Sequence, residues 1–215
     1  MKVALLKFKY MNELEEALRL RGMNVVRTTP EKSLYLFLSN YVDAAVVSSV
    51  AAASLGLEPC LRCPAVYGTG RIENVKLIFI NRSNKVKLWV TPKSFTGKAL
   101  ALWFLITNGI EFTLVDDRRE ADAMVEIGDE ARELEGDSVD LGEAWFEATG
   151  SPMVYAVTVS TRPLEAEVKY VWRKIAVAPF EEVIDAYLAA ARLLKDYWLR
   201  PLLLPRGLLG LLRSL

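Results

Sequence analysis

Four short stretches of this 215-residue chain carry side chains suited to holding or activating a small molecule: Tyr10-Met11-Asn12, Ser48-Ser49, Ser94-Phe95-Thr96-Gly97 and Gly128-Asp129. Each follows a run that reads as a β-strand and opens a run that reads as a helix. In open α/β sheets ligands bind beyond the carboxyl ends of the strands. Helix N-termini present unpaired N–H groups there, which suit a carboxylate or another small anion. Three of the stretches add hydroxyls or a side-chain amide, and Asp129 is placed to cap the helix it opens. Taken singly, each also has an ordinary reading: Asn12 as an N-cap, Ser48-Ser49 as a cap, Thr96-Gly97 as a tight turn. Only convergence on one cleft would make them a site.

The rest of the composition narrows the chemistry. The chain has no His, which excludes imidazole acid/base catalysis and His metal ligation. It also has no Gln, and with abundant Arg, Glu and Leu this points to a thermophilic source. Cys60 and Cys63 form a single CxxC flanked by Pro59 and Pro64. With no second CxxC and no His, a zinc site would need carboxylates or another chain. No helical run follows the pair, as a redox motif would require, so it reads as a structural pair, reduced or disulfide-bonded. The 27 basic and 27 acidic residues balance, so there is no basic face for nucleic acid. MKVALLKF is too short and too charged for a signal peptide, and no apolar run is long enough to span a bilayer, so a cytoplasmic location is expected.

These residues are held by an alternating pattern. A strand at 3–8, a helix from Asn12 to Gly22, a strand at 24–28, a helix opened by Thr29-Pro30, a strand at 43–48 and a helix of small residues follow in turn. Such β-α-β-α-β alternation implies right-handed crossovers and a mostly parallel sheet flanked by helices. Beyond the CxxC, strands at 74–82 and 85–91 precede an apolar helix at 98–109, and strands at 112–117 and up to Ile127 lead into helix 129–135. A helix ending at Gly150 and a strand at 153–159 complete a second β/α set. The expected fold is therefore two-lobed α/β. Residues 1–83 form one lobe, 84–162 the other, and 163–215 rejoin the first. The leucine-rich stretch from Pro201 to Leu215 reads as a cap on lobe one, with a membrane-surface or dimer contact as the alternative.

The ordered motif Asp122-Ala123, Ile127-Gly128-Asp129, Asp140-Leu141-Gly142-Glu143, Trp145, Thr149-Gly150 and Ala156-Val157 resembles the chorismate dehydratase family of the futalosine route to menaquinone. That family has a two-lobed, periplasmic-binding-protein-like fold (type II). The likeness runs over about residues 3–160. Tyr10-Met11-Asn12 resembles the family's Tyr-Leu-Asn segment, and Asp43 to Ser49 its Asp-Ala-Ala segment, with Ser48 for the usual Pro. Thr91 to Gly97 resembles a loop in which Arg is usual where Phe95 stands and Ser is common where Gly97 stands. Asn74 falls where the family has a functional Ser.

The resemblance implies a cofactor-free, metal-free lyase acting on a small dicarboxylate. Water would leave chorismate to give 3-[(1-carboxyvinyl)oxy]benzoate. Asn12 would hold the leaving hydroxyl and Asn74 would sit near the reacting carbon. Ser94, Thr96 and the Gly97 N–H would hold a carboxylate, with Tyr10, Ser48, Ser49 and Asp129 also at the ligand. The base would be Asp129 or a carboxylate of the substrate. Arg71, Lys76, Lys93 and Lys98 are candidates to replace the loop arginine. A non-catalytic binding protein for a small carboxylate is the alternative, favoured by the replaced Arg and Ser. A sister enzyme of the dihydroxynaphthoate synthase type is disfavoured, because that type uses a catalytic His. The sequence leaves the oligomeric state open.

Overall fold

The computed structural model describes residues 1–162, 164 and 168–198. The leucine-rich stretch from Pro201 lies outside them, and so do its expected packing and membrane contacts. The strands are β1 (Lys2–Leu6), β2 (Asn24–Thr28), β3 (Ala44–Ser48), β4 (Pro64–Gly68), β5 (Val75–Phe79), β6 (Lys85–Val90), β7 (Glu111–Leu114), β8 (Ala123–Ile127), β9 (Ser138–Asp140), β10 (Met153–Ser160), β11 (Tyr170–Trp172) and β12 (Ile175–Pro179). The helices are α1 (Asn12–Leu20), α2 (Pro30–Leu38), α3 (Ser49–Ser54), α4 (Phe95–Thr107), α5 (Gly128–Glu133), α6 (Leu141–Thr149) and α7 (Ile184–Trp198).

Two sheets result. One has the order β11-β12-β4-β10-β3-β1-β2 and the other β7-β6-β8-β5-β9. The opening β-α-β-α-β set gives the parallel trio β2-β1-β3, as alternation predicts. The sheets as wholes are mixed, which corrects the expectation of mostly parallel pairing. β10 returns from the second sheet and inserts antiparallel between β3 and β4, and β12 then pairs antiparallel with β4. In the second sheet β5 runs antiparallel to both β8 and β9.

The crossings also fall elsewhere. The chain leaves the first sheet after Gly68 and returns at Met153, so β5, assigned from sequence to the first lobe, belongs to the second sheet. β10 lies between β3 and β4 in the first sheet, not in lobe two. The hairpin β11–β12 has no sequence signal of its own. Its turn places Arg173 at φ 56, a left-handed position usually marked by Gly or Asn.

A continuous apolar core runs through both halves. α4 is buried on nearly every side, as an apolar helix without a polar face must be. It packs against α3 of the first half, α6 of the second, and α7, which also rests on α3. α7 therefore wedges between the lobes and does not cap one of them. At the centre Trp145 is fully buried and meets Trp103 edge-on at 5.3 Å. Cys60 and Cys63 are joined in a disulfide beside Leu164.

Both crossings are fixed by one carboxylate. Asp140 caps α6, accepting from the N–H groups of Gly142 and Glu143 at 3.0 Å. Its other oxygen accepts from Glu73 N–H at 2.6 Å, on the outward crossing. Glu73 sits at φ 60, a left-handed conformation unfavourable for a non-glycine residue, and this bond helps to hold it there. Replacing Asp140 removes three acceptor bonds to buried or half-buried N–H groups. Asp140→Ala is expected to lower unfolding stability by about 2–3 kcal/mol in a urea titration. Asp140→Asn should lose less, because one amide oxygen still accepts.

Candidate functional site

The C-terminal ends of β1 and β3, the start of α4, the end of β8 and the middle of β10 face one another across a cleft between the two sheets. The cleft is narrow in this conformation, with about 40 Å³ of free space. Its walls are largely apolar, with Leu6, Phe8, Val66, Phe95, Ile127 and Ile175 among them. Five of the residues singled out from sequence line it together: Tyr10, Ser48, Asn74, Ser94 and Thr96.

Ser48 and Thr96 clasp the two halves. Their hydroxyl oxygens are 2.8 Å apart, and Thr96 donates to the carbonyl of Tyr155 at 2.9 Å. A threonine hydroxyl has one proton, so Ser48 is the donor in the pair. Ser48 also caps α3, accepting from Ala51 N–H at 3.3 Å. The chain Ser48→Thr96→Tyr155 thus runs from β3 to α4 and back to β10. Ser94 caps α4 by accepting from Gly97 N–H at 2.9 Å, and its own proton finds no acceptor among the described residues.

Asn74 is different in kind. Its side chain is buried, lines the cleft, and has no hydrogen-bond partner among the described residues. Its backbone is fixed on both sides, by the Glu73 N–H bond to Asp140 and by its own carbonyl accepting from Gly128 N–H at 2.9 Å. The amide atoms themselves stay open to the solvent of the cleft, so they are free to meet a ligand there.

Tyr155 presents a second unpaired group, which sequence reasoning missed. Its ring lines the cleft, and its hydroxyl oxygen is buried without a partner. Burial, with the negative charge of Asp140 nearby, pushes its phenol well above the ordinary tyrosine value. Gly142 makes the room: a Cβ there would come within 2.5 Å of that oxygen. Burial likewise raises the Tyr10 phenol. Neither phenol is therefore a base near neutral pH. No carboxylate, lysine or arginine lines the cleft.

Four sequence candidates lie elsewhere. Asn12 is exposed, follows the short turn Lys9–Met11 directly, and accepts from Arg27 Nη2 at 3.2 Å, so it is neither an N-cap nor a cleft residue. Ser49 donates to the carbonyl of Val154 and ties α3 to β10. The Gly97 N–H is already taken by Ser94. Asp129 does not cap α5, whose N-cap position is Ile127. It pairs with Lys9 at 3.2 Å and lines a second, roomier hollow that shares Phe8, Pro30 and Ile127 with the cleft. The proposed substitutes for the loop arginine are also elsewhere. Arg71 pairs with Glu73, Lys93 pairs with Glu130, and neither Lys76 nor Lys98 lines the cleft.

This is the architecture of a two-lobed, periplasmic-binding-protein-like fold. Protein AF1704 from Archaeoglobus fulgidus superposes with a TM-score of 0.54 at 15% identity, over 94% of this chain and 82% of that one. A protein from Bordetella bronchiseptica RB50 gives 0.52 at 13%, over 93% and 69%. The periplasmic aliphatic sulphonate binding protein SsuA from Escherichia coli gives 0.51 at 13%, over 76% of this chain and 61% of that one. No curated protein matches in sequence. The chain belongs to the menaquinone biosynthesis family, whose model matches residues 4–199.

Two predictions follow from the geometry. Thr96→Val keeps the volume but breaks the clasp and leaves the Tyr155 carbonyl without its donor. It should cost about 1–3 kcal/mol in denaturant unfolding. Lys98 is buried in the first turn of α4, and desolvation pushes its ammonium down to about 8. A depressed folded value means that the unfolded chain holds more protons between about pH 8 and 10.5. Stability should therefore rise with pH across that window. Lys98→Met should remove the rise and raise the melting temperature at pH 7.

Proposed function

We propose that this protein is a lyase that removes water from chorismate to give 3-[(1-carboxyvinyl)oxy]benzoate. The observation that carries the reading is the Asn74 amide, without a protein partner in the wall of a mostly apolar cleft. Membership of the menaquinone biosynthesis family supports it.

The chemistry asks little of the protein. The ring C–H beside the hydroxyl-bearing carbon gives up its proton, the C–O bond breaks, and the two leave as water. Loss of both aromatises the ring, so the reaction runs downhill. The protein must hold the ring in reactive geometry and assist the departing oxygen. Asn74 donates to the leaving hydroxyl, and Ser94 supplies a further donor to the ligand's oxygens. Phe8, Phe95 and Ile127 exclude water from the ring. The proton acceptor is a carboxylate of the substrate itself, because the lining contains no protein carboxylate and both phenols are raised. Asp129, paired with Lys9 away from the cleft, is not placed to act.

A second reading has its own support. The lining has no cation, and Phe95 occupies the place of the family's arginine. A non-catalytic binder of a small carboxylate on the same scaffold would look similar. Incubation of the purified protein with chorismate, followed by HPLC against a no-enzyme control, separates the two. The lyase reading expects enzyme-dependent product, lowered at least a hundredfold in Asn74→Ala, while Asn12→Ala stays within a few-fold of wild type. Thermal stabilisation by chorismate without product would establish the binder and overturn the lyase.

A further inference from the structure

Beside the cleft, the second hollow offers a different chemistry. The two share Phe8, Pro30 and Ile127, so they are neighbouring compartments of one opening between the halves. The outer one is the roomier, with about 260 Å³ of free space against about 40 Å³ in the cleft. The cleft holds no charged side chain, whereas Lys7, Thr28, Lys93, Asp129 and Glu130 line the hollow. Lys7 directly follows β1 and Thr28 ends β2. They stand side by side, because the Lys7 N–H donates to the Thr28 carbonyl at 2.9 Å. A ligand lying across Phe8 and Ile127 would have its apolar end inside and its polar end outside.

Two groups of the hollow are unengaged. Thr28 is only 3% exposed, yet its hydroxyl is not sealed and has no hydrogen-bond partner among the described residues. The free space that Thr28 meets is the hollow. Lys7 is exposed and pairs with no carboxylate among the described residues. Both acids of the opposite wall are already held, Asp129 by Lys9 at 3.2 Å and Glu130 by Lys93 at 2.7 Å. Those pairs cancel their own charge, so Lys7 leaves the hollow with a net positive one. A hydroxyl beside an unpaired ammonium suits a carboxylate, which can accept from both.

We infer that the hollow is a second subsite, which receives a carboxylate carried on an arm of the ligand. The Lys7 ammonium and the Thr28 hydroxyl are its donors, while the ring lies past Phe8 in the cleft. On chorismate that arm is the enolpyruvyl group. Lys7 thus supplies the positive charge that the cleft lining lacks. The assignment rests on the reading of the cleft as the seat of a ring-bearing carboxylic ligand, but not on chorismate being converted.

The probes are 3-(carboxymethoxy)benzoate and its neutral-armed isostere 3-(carbamoylmethoxy)benzoate. Both are titrated calorimetrically at millimolar concentration into wild type, Lys7→Met, Lys7→Arg and Thr28→Val. Wild type should prefer the carboxylate arm by about tenfold at low ionic strength, the scale of a charge-assisted hydrogen bond. Added salt should shrink the preference, because Lys7 is exposed. Lys7→Met should nearly abolish it, Thr28→Val should lower it severalfold, and Lys7→Arg should keep it. Neither Lys7→Met nor Thr28→Val should lower the unliganded melting temperature, since neither side chain loses a partner. No binding of the carboxylate-armed probe or no preference in wild type would overturn the assignment. So would a preference undiminished in Lys7→Met or in Thr28→Val, or an equal loss of affinity for both probes in either. Loss of the preference in Lys7→Met, with a wild type that leaves chorismate unchanged, would keep the subsite and reject the lyase. Turnover of chorismate with an undiminished preference would do the reverse.

Discussion

The buried hydroxyl chain from Ser48 through Thr96 to the Tyr155 carbonyl is the contact on which the site depends. It ties the end of β3 and the middle of β10 to the first turn of α4, so the two halves meet with their loops facing. Everything else at the cleft is arranged around that register. Ser48 and Ser94 spend acceptor capacity on capping α3 and α4, which fixes the helices and turns Phe95 toward the ligand space. The Glu73–Asp140 bond and the Asn74–Gly128 bond then hold the outward crossing in place. Most polar groups at this junction are used up in holding the structure, so the few left unpaired stand out.

Those few define the chemistry. The Asn74 amide faces the cleft without a protein partner, the Ser94 proton has no acceptor among the described residues, and the walls around them are apolar. Stability alone would have filled these positions with apolar side chains or paired them. A cleft of donors without a protein base suits a reaction in which the substrate brings its own carboxylate and gains aromaticity.

Much of this was legible in the sequence. Alternating apolar runs and their Gly and Pro stops gave β1 to β3, α1, α2, α4 and α6 close to their observed places. The strand-to-helix loops led to Tyr10, Ser48, Ser94 and Thr96, and the resemblance to Asn74; all five share the cleft. What failed had physical causes. Asn12 follows a tight turn and α1 starts one residue earlier than a capping role would require, which turns its amide outward to Arg27. The split between lobes was misplaced because the polar turn after β5 was read as the crossing, whereas β5 already lies in the second sheet, beside β8. Tyr155 carries no local motif, and Gly142, which makes room for its hydroxyl, meets it only in the folded chain.

The most direct test of the central claim is a crystal structure of Asn74→Ala grown with chorismate. The account predicts an intact substrate in the cleft, its ring between Phe95 and Tyr10 and its ring hydroxyl facing the space vacated at position 74. Chorismate bound elsewhere on the protein, or seated in the cleft with its hydroxyl directed away from position 74, would contradict it.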